Sequence, residues 1–233
     1  MIAAAAIATT AFGLAATTGA YTVSIALRRH WASPFTTPVL ASTLMVIGVL
    51  LATEVSFTQY KPAYQAITSL LAPATVALAI PIYKNRHVFF RNLLPAGCGL
   101  VAGSLSTMIT AGLLARFFGF SPDFVASISI KSATTPIAVE IAKFVGGNSS
   151  MTAIFAVTTG VIGAALGPWL LDRLGIASSM ARGLALGTIS HGIGTAQAAG
   201  ESDIAGATAG VAMGLGALCT ALAAPLIVPL LTG

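Results

Sequence analysis

Residues 151–171 read MTAIFAVTTGVIGAALGPWLL, a run without a single charge. A helix rises 1.5 Å per residue, so the run is roughly 30 Å long, about the depth of a bilayer's hydrocarbon core. It therefore reads as a membrane span. Toward the C-terminus, residues 205–231 form a second uncharged run. Toward the N-terminus, further apolar runs lie at 2–27, 39–53, 63–83 and 93–115. The run at 39–53 is short, stops at Glu54, and gains length only by including Phe35 and Pro38. The whole chain agrees with this pattern. Of its 233 residues 56% are hydrophobic and 7% charged, and its mean hydropathy is +0.93. Soluble domains carry about 25% charged residues, so a surface this poor in charge belongs against lipid.

Where the charges fall predicts a topology. Arg28, Arg29 and His30 follow the first run, and Lys84, Arg86, His87 and Arg91 follow the third. The loops after the second and fourth hold only Lys61 and Arg116 as basic residues. Cytoplasmic loops are rich in Lys and Arg, which places the N-terminus outside. No basic residue precedes Arg28, unlike a secretory signal, so 2–27 is expected to stay as a span. The formal net charge of +5 comes from clusters not interleaved with aromatics, which argues against nucleic-acid binding. Cys98 and Cys219 lie in apolar runs without metal-ligand spacing and are expected to be buried thiols. Neither a metal nor a cofactor is indicated. No nucleotide loop or nucleophile turn is present, so no enzyme class is indicated.

Two segments differ from the rest. Residues 124–147 hold Lys131, Glu140 and Lys143, with Pro136 as a helix breaker. Residues 183–200 hold His191 in a run of Gly and Thr. Polar groups inside a membrane are costly and survive where they pair or face a watery cavity. In the first, Ser132, Thr134 and Thr135 offer hydroxyls, and Pro136 frees a carbonyl one turn earlier. Backbone unwound there could hold an ion or a substrate oxygen. The alternative is a proline-kinked helix end, with Lys131 snorkelling and Glu140 and Lys143 forming an i,i+3 surface pair. In the second, Ser190, His191, Gly192, Gly194 and Thr195 combine a titratable ring with backbone that a ligand can approach closely. The alternative there is a histidine buried at a close helix crossing. Gly160, Gly163 and Gly167 form a helix-contact stripe. If residues 124–147 turn back instead of crossing, Arg173 and Arg182 fall inside with the other basic residues, which favours the re-entrant form. Pro168 and Pro225 align at a fixed offset, but almost nothing else does, so no repeat is established.

The expected fold is therefore all-α, a polytopic transmembrane bundle of about six to eight spans with two discontinuous or re-entrant polar segments. Residues 1–233 form one membrane domain. Residues 1–116 hold four regular spans, and 117–233 carry the motifs.

The run from Lys131 to Ala138, Gly146-Gly147, Thr159-Gly160 through Gly163, Gly183 to Thr188, and His191 to Thr195 resemble the LrgB/CidB family of bacterial membrane proteins. The likeness covers nearly the whole chain in length and span pattern, with its specific motifs between about Lys131 and Ala198. It implies an inner-membrane protein encoded beside a small LrgA/CidA-like partner, and an association with murein hydrolase control and autolysis. It also implies transport of a small carboxylate, because a plastid relative moves glycolate and glycerate and bacterial members are linked to pyruvate uptake. A homo-oligomer is expected. Substrate contact is expected from Lys131, Ser132, Thr134, Thr135, Pro136, Glu140, Ser190, His191, Gly192, Gly194 and Thr195. Ala133, Gly192 and Gln197 depart from the family pattern, where Val, Ala and Arg are common. Without that arginine, a simple carboxylate clamp beside His191 is weakened.

Overall fold

A computed structural model describes residues 2–31, 36–70, 73, 76–77, 79–84 and 86–233. These residues form helices and their connections, and they divide into two compact units, Met1–Ala77 and Leu78–Gly233. Among the described residues, four helices are long and apolar enough to cross a membrane: Ile7–His30, Leu93–Phe117, Ser149–Arg173 and Asp203–Thr232.

The first unit holds α1 (Ile2–His30), α2 (Pro38–Ala52) and α3 (Phe57–Ser69). Both α2 and α3 lie against α1. Gly13 allows the close approach of α3, since a Cβ there would stand 2.7 Å from that of Ala63. One turn on, the Thr17 and Tyr60 hydroxyls are 2.8 Å apart. Helix α3 opens with a reciprocal cap between Ser56 and Gln59. It therefore begins earlier than the run expected at 63–83 and takes in Lys61. Residues 71–72, 74–75 and 78 of that run lie outside the described residues.

The second unit holds α4 (Ala79–Lys84), α5 (Arg86–Arg91), α6 (Leu93–Phe117), α7 (Pro122–Ser129), α8 (Thr135–Val145), α9 (Ser149–Arg173), α10 (Ser179–Ala199) and α11 (Asp203–Thr232). Three through-helices set its frame. A Cβ at Gly112 of α6 would meet Leu231 of α11, and Gly216 of α11 lies beside Ser104 of α6. The two helices are thus parallel. Helix α9 runs the other way and carries the chain back to the end where α6 begins.

Helices α7 and α8 form a hairpin that enters at the end where α6 finishes. Helix α7 descends antiparallel to α6: Val125 clusters with Ala115, Ser129 lies beneath Gly112, and Lys131 reaches Thr107. The chain then returns. Ile141 and Ala142 cluster with Ala126 and Ile130, and the Asn148 N–H donates to Ser127 Oγ at 2.8 Å. Pro136 in the first turn fixes where α8 starts. Gly146, at φ 77°, ends α8 in the left-handed conformation that glycine adopts without strain. Residues 124–147 therefore form a hairpin whose two legs start and finish at the same end of the unit.

Helix α10 is a second hairpin, entering from the opposite end. Its helical run breaks at His191, where φ is 40° and ψ −127°. The leg before the break is parallel to α6, with Leu184 at Gly99 and Thr188 at Gly103. The leg after it folds back, so that Gly194 sits on the Leu186 carbonyl and Ala198 clusters with Leu186, Ala205 and Ala209. Arg182 closes the open end, bonding Glu201 at 2.7 Å and Asp172 of α9 at 2.6 Å. The Glu201 carboxylate holds the Arg182 guanidinium above its ordinary range, with Asp172 adding to the effect against partial burial. Glycines on α9 make room for this hairpin. A Cβ at Gly163 would collide with Ser190 Oγ, and one at Gly167 would stand 2.7 Å from Leu186. The unit thus repeats one pattern, a through-helix followed by a hairpin, in opposite directions.

Cys98 is exposed and Cys219 half-buried, which corrects the expectation of two buried thiols.

Candidate functional site

The two hairpin tips reach the middle of α6 from opposite ends. At the first tip, residues 130–134, Lys131 Nζ donates to Thr107 Oγ1 at 2.8 Å and to Ser132 Oγ at 3.4 Å. The Thr107 and Ser132 hydroxyls are 3.0 Å apart. Lys131 is half-buried. The ion pairs among the described residues join Lys143 to Glu140, and Arg182 to Asp172 and Glu201. None involves Lys131, whose ammonium charge is met only by hydroxyls. Thr134 begins α8 without a side-chain cap bond. The N–H groups of Thr135 and Ile137 are in the first turn and have no partner within the helix, and Pro136 has no N–H. This end of α8 carries partial positive charge beside Lys131.

At the second tip, His191 Nε2 lies 2.9 Å from the Ala156 carbonyl of α9. A carbonyl only accepts, so Nε2 carries the hydrogen, and in the neutral ring Nδ1 is the acceptor. The ring rests on Gly160, where a Cβ would stand 2.9 Å from Cε1. A β-substituted residue at this φ and ψ stores strain of about 1–3 kcal/mol, sustained only where the surroundings fix it. Thr195 Oγ1 donates to the His191 carbonyl at 2.8 Å. Gly192 is half-buried, while Ser190, Gly194 and Thr195 are buried.

Four buried hydroxyls have no hydrogen-bond partner among the described residues: Ser104, Thr152, Thr188 and Ser190. All lie at the depth of the tips. Ser104 is three residues from Thr107 along α6, about 4.5 Å of rise. Thr188 and Ser190 end the first leg of α10, and Thr152 is one turn before Ala156. Buried polar groups in folded proteins are nearly all satisfied, so each of these hydroxyls is free to bond water or a ligand.

The structure brings Lys131, Ser132, Thr134 and Thr135 together at one tip, and Ser190, His191, Gly192, Gly194 and Thr195 at the other. The first tip meets α6 at Thr107, and the leg leading to the second meets it at Gly103. Glu140 is not at either tip. It is exposed and bonds Lys143 at 2.6 Å across one turn, and Pro136 is exposed beside it. Thr107 bonds Lys131 and Ala156 meets His191, with Ser104 and Thr152 within about a turn of them, but none of the four carries a signal in the sequence. Ser and Thr are common in membrane helices, where most bond their own backbone.

The sequence model of the LrgB-like family matches residues 17–230. "Uncharacterized protein YxaC" of Bacillus subtilis is 38% identical over 212 residues, covering 91% of this chain and 92% of that protein. "Uncharacterized protein YwbG" of the same organism is 33% identical over 193 residues, 83% of this chain and 86% of its own. "Holin-like protein CidB" of Staphylococcus aureus is 33% identical over 205 residues, 88% of each chain. No solved structure matches the chain.

Proposed function

This chain belongs to the LrgB-like family, and from that premise we propose that it carries a small carboxylate of the pyruvate, glycolate or glycerate class across the bacterial inner membrane. One observation bears the most weight: Lys131, at the tip of a re-entrant hairpin, has no carboxylate partner among the described residues. An unpaired ammonium at membrane depth costs about 2.5–3.5 kcal/mol, which an incoming anion offsets. The carboxylate sits against Lys131, with Ser132, Thr134, Thr135 and the open N–H groups of α8 as donors. Two hairpins entering from opposite ends, each with a broken helix at the centre, suit a site reached alternately from either side. His191 and Thr195 lie at the matching depth on the second tip, with His191 Nδ1 as the group that takes up a coupled proton.

The positive-inside rule makes the end bearing Arg91, Arg173 and Arg182 cytoplasmic and the N-terminus external. The test is uptake of radiolabelled pyruvate, glycolate and glycerate into proteoliposomes. Uptake of at least one, lost in Lys131→Ala, is expected; no uptake of any by active protein sinks the proposal.

The holin-like name of the CidB relatives favours a second reading, a homo-oligomeric assembly with an LrgA/CidA-like partner that modulates murein hydrolases and autolysis. It predicts a lysis phenotype indifferent to Lys131 and His191. A His191→Ala variant that loses the lysis phenotype together with carboxylate binding counts against it.

A further inference from the structure

An apolar trough of about 560 Å3 lies between α6, α10 and α11 of the second unit, a size usual for a site that holds a small ligand. Along α11 it extends from Thr208 to Leu222, roughly 21 Å of rise against the about 15 Å of hydrocarbon in one leaflet. Leu100 is buried in it, while Leu93, Leu215 and Leu218 are exposed along it. Gly97 keeps it open, since a Cβ there would meet nothing within 4 Å. At the end where α6 begins, the trough turns polar. A second hollow, lined by Asn92, Ser178 and Ala181, shares Ala96, Met180 and Leu184 with it. Ser178 caps α10 by accepting from the Ala181 N–H. The N–H groups of Ser179 and Met180 have no partner within the helix and give the hollow partial positive charge. Arg91 stands between Phe90 of the trough and Asn92 of the hollow. It is exposed, and none of the ion pairs among the described residues includes it.

This end sits at headgroup level. Arg86 lies 4.7 Å over the Tyr83 ring and Arg173 5.4 Å over that of Trp169, and aromatic rings beside cations gather at the membrane interface. Of the carboxylates here, Asp172 and Glu201 bond Arg182, which leaves Asp203 in the first turn of α11. The balance is positive. A trough that is apolar for the depth of one leaflet and cationic at its mouth matches an amphipath with an anionic head. A helix of a second copy would fill the apolar part and leave Arg91 without a counter-charge. A free phosphate would meet the mouth and leave the trough empty. We propose that an anionic phospholipid lays an acyl chain in this trough, with its phosphate at Arg91 and the start of α10. The positive-inside rule puts it in the cytoplasmic leaflet, where basic pockets between helices hold anionic headgroups. The lipid touches Met180 and Leu184, on the leg of α10 that leads to His191. Its binding does not depend on carboxylate transport.

The test is thermal unfolding of the purified full chain in neutral detergent, with dioleoyl phosphatidylglycerol, dioleoyl phosphatidylcholine or glycerol phosphate added. Saturating phosphatidylglycerol is expected to raise the midpoint by about 5 °C or more, phosphatidylcholine by clearly less, and glycerol phosphate not at all. Gly97→Leu puts a side chain into the open trough and loses the response to phosphatidylglycerol. Arg91→Gln responds to phosphatidylglycerol no more than to phosphatidylcholine. Equal shifts from the two lipids in the wild type overturn the proposal, as does a phosphatidylglycerol shift that survives Gly97→Leu or stays whole in Arg91→Gln. A trough filled by a second copy also overturns it, and shows as a Gly97→Leu chain of altered assembly mass that keeps its lipid response. If a variant does not fold, native mass spectrometry of the wild type in an equal mixture of the two lipids decides. Excess phosphatidylglycerol retained on the protein supports the proposal, and equal retention refutes it.

Discussion

Replacing Lys131 with Met separates binding from stability, and the two effects have opposite signs. Met keeps much of the stem's volume and removes the ammonium. Removing a central lysine from a membrane relieves about 3 kcal/mol on insertion scales. Against this stand two hydrogen bonds from Nζ, one at 2.8 Å and a long one at 3.4 Å, together about 1–2 kcal/mol. Thr107 and Ser132 remain within 3.0 Å of each other, so neither hydroxyl is orphaned. The ligand-free Lys131→Met protein should be more stable by about 1–2 kcal/mol, a rise of roughly 2–8 °C in the unfolding midpoint. Carboxylate binding should weaken by about 3 kcal/mol, near 100-fold, because a charge-assisted contact is lost. The assay is thermal unfolding of purified wild type and variant, each titrated with pyruvate, glycolate and glycerate. A lower midpoint for the ligand-free variant, or undiminished binding, refutes the reasoning, since either means Lys131 serves the fold and not an anion.

Substitutions at five other positions test the rest of the geometry. His191→Gly should be more stable than His191→Ala by about 1–3 kcal/mol, because both lose the Ala156 contact and only glycine relieves the backbone strain; equal midpoints contradict the strain. Gly163→Ala should destabilise by about 1–3 kcal/mol through collision with Ser190, and Ser190→Ala in the same chain should recover most of the loss; chemical denaturation that shows no recovery contradicts the contact. Arg182→Ala leaves the largely buried Glu201 without its partner and should cost about 2–3 kcal/mol, a reading that a change under about 0.5 kcal/mol defeats. Glu140→Ala breaks only an exposed pair, so its stability should stay within about 0.5 kcal/mol of wild type and its carboxylate response should be unchanged; loss of that response would return Glu140 to the site.

Much of the fold is legible in the chain because lipid imposes simple rules. The uncharged runs at 93–115, 151–171 and 205–231 coincide with the through-helices, and the costly polar groups at 124–147 and 183–200 coincide with the hairpins. Arg173 and Arg182 point to the turning back of the first hairpin because a charge count distinguishes crossing from returning. The repeated pattern of through-helix and hairpin is not legible. It constrains the path of the backbone, while each copy meets different neighbours and has its own side chains. Lys131 and His191 are conspicuous in the sequence as charged or titratable groups at membrane depth. Ser104, Thr107 and Thr152 are not, since a hydroxyl bonded to its own helix and one left unpartnered look alike until the neighbouring helices are placed. Glu140 shows the converse: its charge draws attention, but its spacing from Lys143 puts it in an exposed pair.

The account stands on two hairpins that enter from opposite ends and meet at the depth of Thr107. Single cysteines at Ser121, Asn148, Ser178 and Ser202, in a chain lacking Cys98 and Cys219, test this by labelling with a membrane-impermeant maleimide in right-side-out and inverted vesicles. The account predicts that positions 121 and 148 label from one side and positions 178 and 202 from the other. Labelling of 121 and 148 from opposite sides would mean that residues 124–147 cross the membrane, and Lys131 would then not lie at a hairpin tip.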